Sequence, residues 1–126
     1  MPKRLMLDTN VYDLIVAKHG FAERVNRAVV AGEIEILRTR IHDEEMARIP
    51  NAAKRAAMRA IRSRLVPVSE AAWSKDGPPP SADAQIAATA AETVDVLVTE
   101  DKDLRAEAKR HVEVWRFEEL VAFVGS

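Results

Sequence analysis

The stretch Leu5-Met6-Leu7-Asp8-Thr9-Asn10 introduces the pattern from which the fold is predicted: a short apolar run ends at a carboxylate, and a helical pattern follows. Further short apolar runs recur along the chain, separated by alanine-rich or amphipathic stretches. This alternation is typical of a parallel sheet covered by helices. The predicted strands are residues 5–7, 34–37, 65–68, 94–98 and 112–115, and the predicted helices are residues 11–31, 43–49, 52–64, 82–93 and 104–110.

The composition fits one compact domain spanning residues 1–126. Hydrophobic residues make up 48% and charged residues 31% of the 126-residue chain, and a chain of this length is too short for two separate cores. Cysteine is absent, which excludes disulfide scaffolds, thiolate metal sites and cysteine nucleophiles. Nineteen basic and twenty acidic residues give a formal net charge of -1, so any attraction to nucleic acid must be local.

The first residues lack the features of a signal peptide. Only three apolar residues separate the basic pair Lys3-Arg4 from Asp8, and no later stretch approaches the ~20 apolar residues of a transmembrane helix. We therefore expect a cytoplasmic protein that does not enter a membrane.

Acidic side chains stand near the ends of the predicted strands. Asp8 comes directly after the first strand, and Asp101 follows the fourth, while Asp83 opens the helix between the third and fourth strands. Taken alone, Asp83 could simply be a helix-terminal carboxylate that satisfies free backbone amides. Because the carboxyl ends of parallel strands meet at one edge of a sheet, however, we expect these acids to lie together.

Three consecutive acids follow the second strand, and helical spacing selects one of them. On a helix that turns about 100° per residue, His42, Met46 and Ile49 share the side expected to be buried. Glu45 lies at the border of that side, whereas Glu44 points away from it. Glu45 is therefore the predicted site residue, and Glu44 is the alternative if the assignment is wrong by one position.

Four carboxylates gathered in a partly desolvated cleft would repel one another unless a cation joined them. With no cysteine and three scattered histidines, the available ligands are oxygen atoms, which suit hard divalent ions such as Mg²⁺ or Mn²⁺. Such an ion can coordinate phosphate oxygens and lower the pKa of an attacking water. The residues therefore predict phosphodiester hydrolysis.

The acidic segments also resemble, in order, the motifs of PIN-domain ribonucleases, particularly the small VapC-type toxins of prokaryotic toxin–antitoxin pairs. The similar stretches are Leu7-Asp8-Thr9-Asn10-Val11, Thr39 with Glu45-Met46, residues 83–90 and residues 97–104. The resemblance runs over nearly the whole chain. It implies a three-layer α/β fold of the PIN type, with a five-stranded parallel sheet flanked by helices, and the activity of a Mg²⁺- or Mn²⁺-dependent endoribonuclease.

The same resemblance implies residue roles and partners. The metal-binding and catalytic acids would be Asp8, Glu45, Asp83 and Asp101. The supporting residues would be Asn10, Thr99 and Asp103, the last of which is also an alternative to Asp101. RNA would be the substrate, a cognate antitoxin would be the partner, and the toxin would form a homodimer.

A basic stretch lies between residues 47 and 69, where six basic residues occur without an acid. Arg55, Arg59 and Arg62 recur at the spacing of one helix face, opposite an apolar stripe that ends at Leu65. An ordinary solvated face would have the same pattern. Beside a metal site, the pattern favours contacts to RNA phosphates, because these contacts dominate nucleic-acid affinity.

Two other functions fit part of the pattern. A catalytically silent PIN-like module could bind RNA or protein, but it would have no physical need for four converging carboxylates. A phospho-accepting receiver domain also carries acids at strand ends. No acidic pair adjoins Asp8, however, and Trp115 is followed by Arg116 where a receiver has lysine. The silent module is therefore the main alternative.

Overall fold

The computed structural model describes residues 1–125, and Ser126, the last residue of the predicted domain, lies outside the described residues. Its sheet has five strands in the order β3-β2-β1-β4-β5, and every neighbouring pair is parallel. The strands are β1 (Lys3–Leu7), β2 (Ile34–Arg38), β3 (Arg64–Leu65), β4 (Val96–Val98) and β5 (Glu113–Trp115). The predicted five-stranded parallel α/β architecture is confirmed.

Helices cover both faces of the sheet. Within residues 1–125 they are α1 (Thr9–Ala17), α2 (Phe21–Val30), α3 (Arg40–Ala47), α4 (Ala52–Arg59), α5 (Ala82–Thr93), α6 (Lys102–Ala108) and α7 (Phe117–Val124). Successive strand residues point to opposite faces. Leu5 and Leu7 belong to a core with α1, α2, α4 and α7, whereas Met6 belongs to a core with α5 and α6. The molecule therefore has three layers, as a PIN-like fold requires.

None of the helices formed by residues 1–125 combines the length and the apolar character that a membrane crossing would need.

The strand order reverses beside β1. Strands β2 and β3 lie on one side of β1, and β4 and β5 lie on the other. In open parallel sheets, a crevice forms at such a point beyond the carboxyl ends of the strands. Leu7 is in register with Val98, and the Asp8 N–H donates to the Val98 carbonyl at 2.9 Å. Asp8 and Thr99, which directly follow the two strands, are thereby placed at the crevice.

The single helix predicted over residues 11–31 is wrong. Two helices, α1 and α2, occupy this range, and Gly20 separates them with a φ of +73°. Glycine reaches this left-handed conformation without the penalty that a Cβ atom brings. The apolar pattern continues across the break, since both Ile15 and Phe21 are buried, so apolar periodicity alone does not reveal it.

The helix predicted over residues 52–64 ends at Arg59. The Asn26 side chain of α2 donates to the Ala60 carbonyl at 3.0 Å and accepts from the Arg62 N–H at 2.8 Å. These bonds fix a turn directly after α4. Arg62 is therefore not on the helix that carries Arg55 and Arg59, and the predicted helix face of three arginines is wrong.

Strand β3 is shorter than the predicted strand 65–68. Only Arg64 and Leu65 pair with β2, at the edge of the sheet, and Pro67 lacks the N–H that a longer ladder would need. Leu65 is 53% exposed. It therefore does not complete the buried stripe predicted opposite the arginines.

Helix α3 begins at Arg40 instead of the predicted residue 43, because Thr39 caps it. The Thr39 Oγ1 accepts from the Ile41 N–H at 3.2 Å, and the His42 Nδ1 accepts from the Thr39 N–H at 3.0 Å. Burial lowers the pKa of His42 to about 4. At neutral pH the ring is uncharged, and it serves as a helix cap within the core.

Helix α7 was not assigned from the sequence. The Phe117 ring packs edge-on against Phe21, with 5.7 Å between the ring centroids. Leu120 and Val124 are buried in the same core. Helix α7 therefore completes the cover of one sheet face beside α2.

Candidate active site

Asp8 lies in the crevice at the end of β1 and caps α1. Its Oδ1 accepts from the Thr9 N–H at 2.9 Å, and its Oδ2 accepts from the Thr99 hydroxyl at 2.8 Å. Burial raises the pKa of Asp8 although these two hydrogen bonds act to lower it, and the charge of Asp101 adds to the rise. The Asp8 carboxylate is therefore fixed in orientation but poorly solvated.

Two threonines connect three of the four predicted acids. The Thr9 hydroxyl donates to Glu45 Oε1 at 2.8 Å, while the Thr9 N–H donates to Asp8. The Thr99 hydroxyl donates to Asp8 and accepts from the Asp101 N–H at 2.9 Å. The resemblance implies a supporting role for Thr99, whereas Thr9 is not among the predicted site residues. The available signal was the position of Thr9 next to an acid at a strand end.

Asp83 approaches the same crevice from α5. Ser81 caps this helix, so Asp83 is not needed as a cap, and its carboxylate accepts no hydrogen bond from the residues described. Burial raises the pKa of Asp83, and the charges of Asp101, Asp8 and Glu45 raise it further. Charge effects of this kind act over short distances. The four acids therefore share one anionic region.

Glu44 lies outside this anionic region. Its side chain is 56% exposed and pairs with Arg40 at 3.4 Å on the surface of α3. Glu45, one residue later, is half-buried and contacts Thr9. The geometry therefore favours Glu45 over Glu44.

Asp103 and Asn10 lie at the border of the region. Asp103 is exposed on the first turn of α6 and raises the pKa of Asp83 less than Asp101 does. Asn10 is exposed on the first turn of α1 and joins none of the hydrogen bonds described above. Of the predicted supporting residues, Thr99 makes the direct contacts to the acids.

The four acids offer oxygen donors, the type of ligand that a hard cation prefers. Within residues 1–125, no basic side chain forms an ion pair with any of the four acids. In the same part of the chain, no three acidic or histidine side chains form a group that could hold a metal ion. Mg²⁺ does not require such an arrangement, because it keeps several waters and is usually bound through one or two carboxylates. The residues that could hold it are Asp8, Glu45, Asp83 and Asp101.

The three arginines predicted to bind RNA do not form one surface. Arg55 is half-buried and donates to the Ile49 carbonyl at 2.6 Å. Arg59 and Arg62 are exposed, and both line a cavity of about 530 Å³ between α1, α3 and α4. Arg55 is not part of that lining.

No protein-family model matches the chain, and no curated protein matches it either. A function must therefore be inferred from the chemistry of the crevice.

Replacing Asp83 with asparagine tests the electrostatics of the crevice. Without divalent ions, Asp83→Asn should raise the melting temperature at neutral pH by ~1–3 °C, because it removes a charge that the neighbouring acids repel. The rise is small because each interaction between such partly exposed charges is worth less than about 1 kcal/mol. Added Mg²⁺ should raise the melting temperature of the original protein more than that of the variant.

The pH dependence of this difference has a definite sign. Because folding raises the pKa of Asp83, the energetic penalty of its charge is absent below the unfolded pKa of about 4 and appears as the pH rises through the folded value. The difference in melting temperature should therefore shrink on acidification. Scanning fluorimetry from about pH 4 to neutral pH, with Mg²⁺ or with EDTA, measures both effects. Identical melting curves for the two proteins under all conditions would contradict the shared anionic region.

Proposed function

We propose that the protein is a metal-dependent endoribonuclease that hydrolyses RNA phosphodiester bonds. The observation that carries this proposal is the crevice in which Asp8 accepts from Thr9 and Thr99, and Thr9 also donates to Glu45. The backbone N–H of Asp101 donates to Thr99, and Asp83 lies beside these residues. The four carboxylates have no paired basic side chain among residues 1–125. A bound Mg²⁺ or Mn²⁺ ion is therefore the natural counter-charge.

The residues of the crevice would orient the reacting groups. When bound, the ion would coordinate phosphate oxygens and lower the pKa of an attacking water. Thr99 and Thr9 restrict the rotation of the Asp8 and Glu45 carboxylates, as partners of metal-binding groups commonly do. The Asp83 carboxylate accepts no hydrogen bond from the residues described, so its oxygens would be available to an ion or to an ion-bound water.

The proposal extends to the biological role. The order of the acidic segments resembles that of VapC-type toxins, and on this basis the protein is the cytoplasmic toxin of a toxin–antitoxin pair, with a cognate antitoxin and a second copy of itself as partners. Expression of the protein should then arrest growth, and the product of the neighbouring gene should relieve the arrest. Unchanged growth together with intact cellular RNA would contradict this role.

Neighbouring glutamates provide a matched test of the nuclease proposal. Purified protein should cut RNA in Mg²⁺ and stop when a chelator is added. Glu45→Gln should lower the cleavage rate by roughly 10-fold or more, a loss typical of groups that position a metal ion. Glu44→Gln removes the same charge one residue away and should leave the rate unchanged. Equal rates for the two variants, or cleavage that persists in the chelator, would contradict the proposal.

One observation favours a second candidate function. Among residues 1–125, no three acidic or histidine side chains form a group that could hold a metal ion, which suits a catalytically silent PIN-like module that binds RNA or protein. RNA that is bound but stays intact at every Mg²⁺ concentration would support this alternative.

A further inference from the structure

The cavity between α1, α3 and α4 has a lining unlike that of the acidic crevice. Its volume of about 530 Å³ lies within the usual range of ligand pockets. Its lining contains none of the four site acids. The polar lining residues are Tyr12, Arg38, Asp43, Arg59, Arg62 and Ser63. Three arginines against one aspartate leave an excess of positive charge in this cavity.

Arg38 provides an immobilised part of the lining. Its Nε donates to Asp43 Oδ1 at 2.8 Å, and its Nη1 donates to the carbonyl and hydroxyl oxygens of Ser63 at 3.0 and 3.2 Å. The Nη2 group of Arg38 makes no hydrogen bond to the residues described. Two N–H donors of a guanidinium with a fixed position are therefore available to a ligand.

Tyr12 adds a buried hydroxyl to the same cavity. The residue is 1% exposed, and its hydroxyl has no hydrogen-bond partner among residues 1–125. Burial raises the pKa of Tyr12 to about 12, and the Ser63 side chain lies close enough to oppose that rise without completing a hydrogen bond of good geometry. The hydroxyl therefore keeps its proton. Because an unpaired buried hydroxyl costs free energy, a ligand oxygen that accepted its proton would be favoured.

We propose that this cavity binds a phosphate group esterified to a nucleoside. Guanidinium groups and hydroxyls are typical phosphate ligands, and a paired arginine gives directional contacts. Arg59 and Arg62 supply charge at the open side, while Arg38 and Tyr12 supply fixed donors at the inner side. This inference rests on the proposed function where the phosphate belongs to RNA, since the cavity then provides a second contact for the same substrate.

The position of the cavity suits that substrate. Tyr12 lies one turn, or ~6 Å along the axis, after Asp8 on α1. On α3, Met46 of the cavity directly follows Glu45 of the crevice. The cavity and the crevice therefore share α1 and α3, and a single RNA strand would be long enough to contact both.

The first test measures RNA binding in EDTA, so that cleavage does not interfere. The probe is a labelled single-stranded RNA of about ten nucleotides, followed by fluorescence anisotropy at several salt concentrations. Arg59→Gln combined with Arg62→Gln should weaken binding about 10-fold and reduce the slope of log affinity against log salt by roughly 1. The matched control combines Arg48→Gln with Arg110→Gln, which removes the same charge from exposed positions outside the cavity. It should change affinity much less.

The second test removes one hydroxyl. Tyr12→Phe should weaken RNA binding by roughly 5-fold, because one donor to the phosphate is lost. The same variant should melt at an equal or higher temperature, since the hydroxyl is unpaired in the free protein. A purely structural role for the hydroxyl would give the opposite pair of results, with a lower melting temperature and unchanged affinity.

Inorganic phosphate and AMP distinguish the two sources of the phosphate group. If the cavity serves RNA, the oligonucleotide should bind at micromolar concentration, and millimolar AMP should compete only weakly. If it serves a free nucleotide, AMP should bind tightly and lose affinity in both cavity variants. Either pattern supports a phosphate site.

Affinities that are unchanged in the cavity variants for RNA, AMP and phosphate would overturn the inference. Failure of the nuclease proposal is seen separately, as RNA that stays intact in Mg²⁺.

Discussion

Replacing Asp8 with asparagine should lower the rate of RNA cleavage by more than about 100-fold, since even partners of metal ligands typically cost 10- to 100-fold when they are changed. Asp8 is the acid that both bridging threonines contact. Asparagine keeps the shape and one oxygen but removes the charge that would bind a cation. The fold should persist, because the new amide can donate to the Thr99 oxygen and asparagine is an effective helix cap.

Cleavage of RNA in Mg²⁺ measures this effect, and circular dichroism checks the fold. Asp76→Asn is the matched control, because Asp76 is exposed in the loop before α5 and the change in charge is the same. The control should cut at the original rate. An Asp8→Asn protein that also cuts at the original rate would remove Asp8 from the mechanism.

Replacing Thr99 with valine should lower the free energy of unfolding by about 2–4 kcal/mol. Valine has nearly the same shape, but it leaves one Asp8 oxygen and the Asp101 N–H without the partner that they share in the crevice. Thr99 is fully buried, so water cannot easily replace the lost hydroxyl. Cleavage should also fall by roughly 10- to 100-fold, because the Asp8 carboxylate is no longer held in one orientation.

Urea unfolding provides the measurement, since a single domain of this size generally unfolds in one cooperative step. Thr99→Ser keeps the hydroxyl and should lose only about 1 kcal/mol for the missing methyl group. Thr93→Val is a second control, because the Thr93 hydroxyl donates only to a carbonyl one turn earlier in α5. If Thr99→Val were as stable as the original protein, the two hydrogen bonds of the hydroxyl would contribute nothing.

Much of the fold could be predicted because its signals are local. Short apolar runs mark buried strands, and Ser81 before an alanine-rich run marks the start of α5, whose bounds match the prediction. One error occurs where a residue distant in sequence decides the structure. The side chain of Asn26 fixes the turn after α4, and no pattern within residues 52–64 indicates this contact. The predicted arginine face is wrong for that reason.

The candidate site was predictable to a similar extent. Strand ends in a parallel sheet place their next residues at one edge, so the positions of Asp8 and Asp101 follow from the apolar runs before them. The link from Thr9 to Glu45 depends on how α1 and α3 pack, and sequence spacing contains no information on that distance. The cavity could not be predicted for the same reason. Tyr12, Arg38 and Ser63 come from three separate segments of the chain and meet only in the folded structure.

Asp8 and Asp101 each begin the helix that follows them, Asp8 by accepting from one backbone N–H and Asp101 by accepting from two. Replacing such a residue with one that cannot cap costs about 1 kcal/mol. Mutation of these two residues should therefore reduce stability as well as the proposed activity. Asp83 and Glu45 do not cap a helix. Replacing either of them should therefore remove the proposed activity and leave the fold stable, so inactive but folded variants should arise more readily at these two positions.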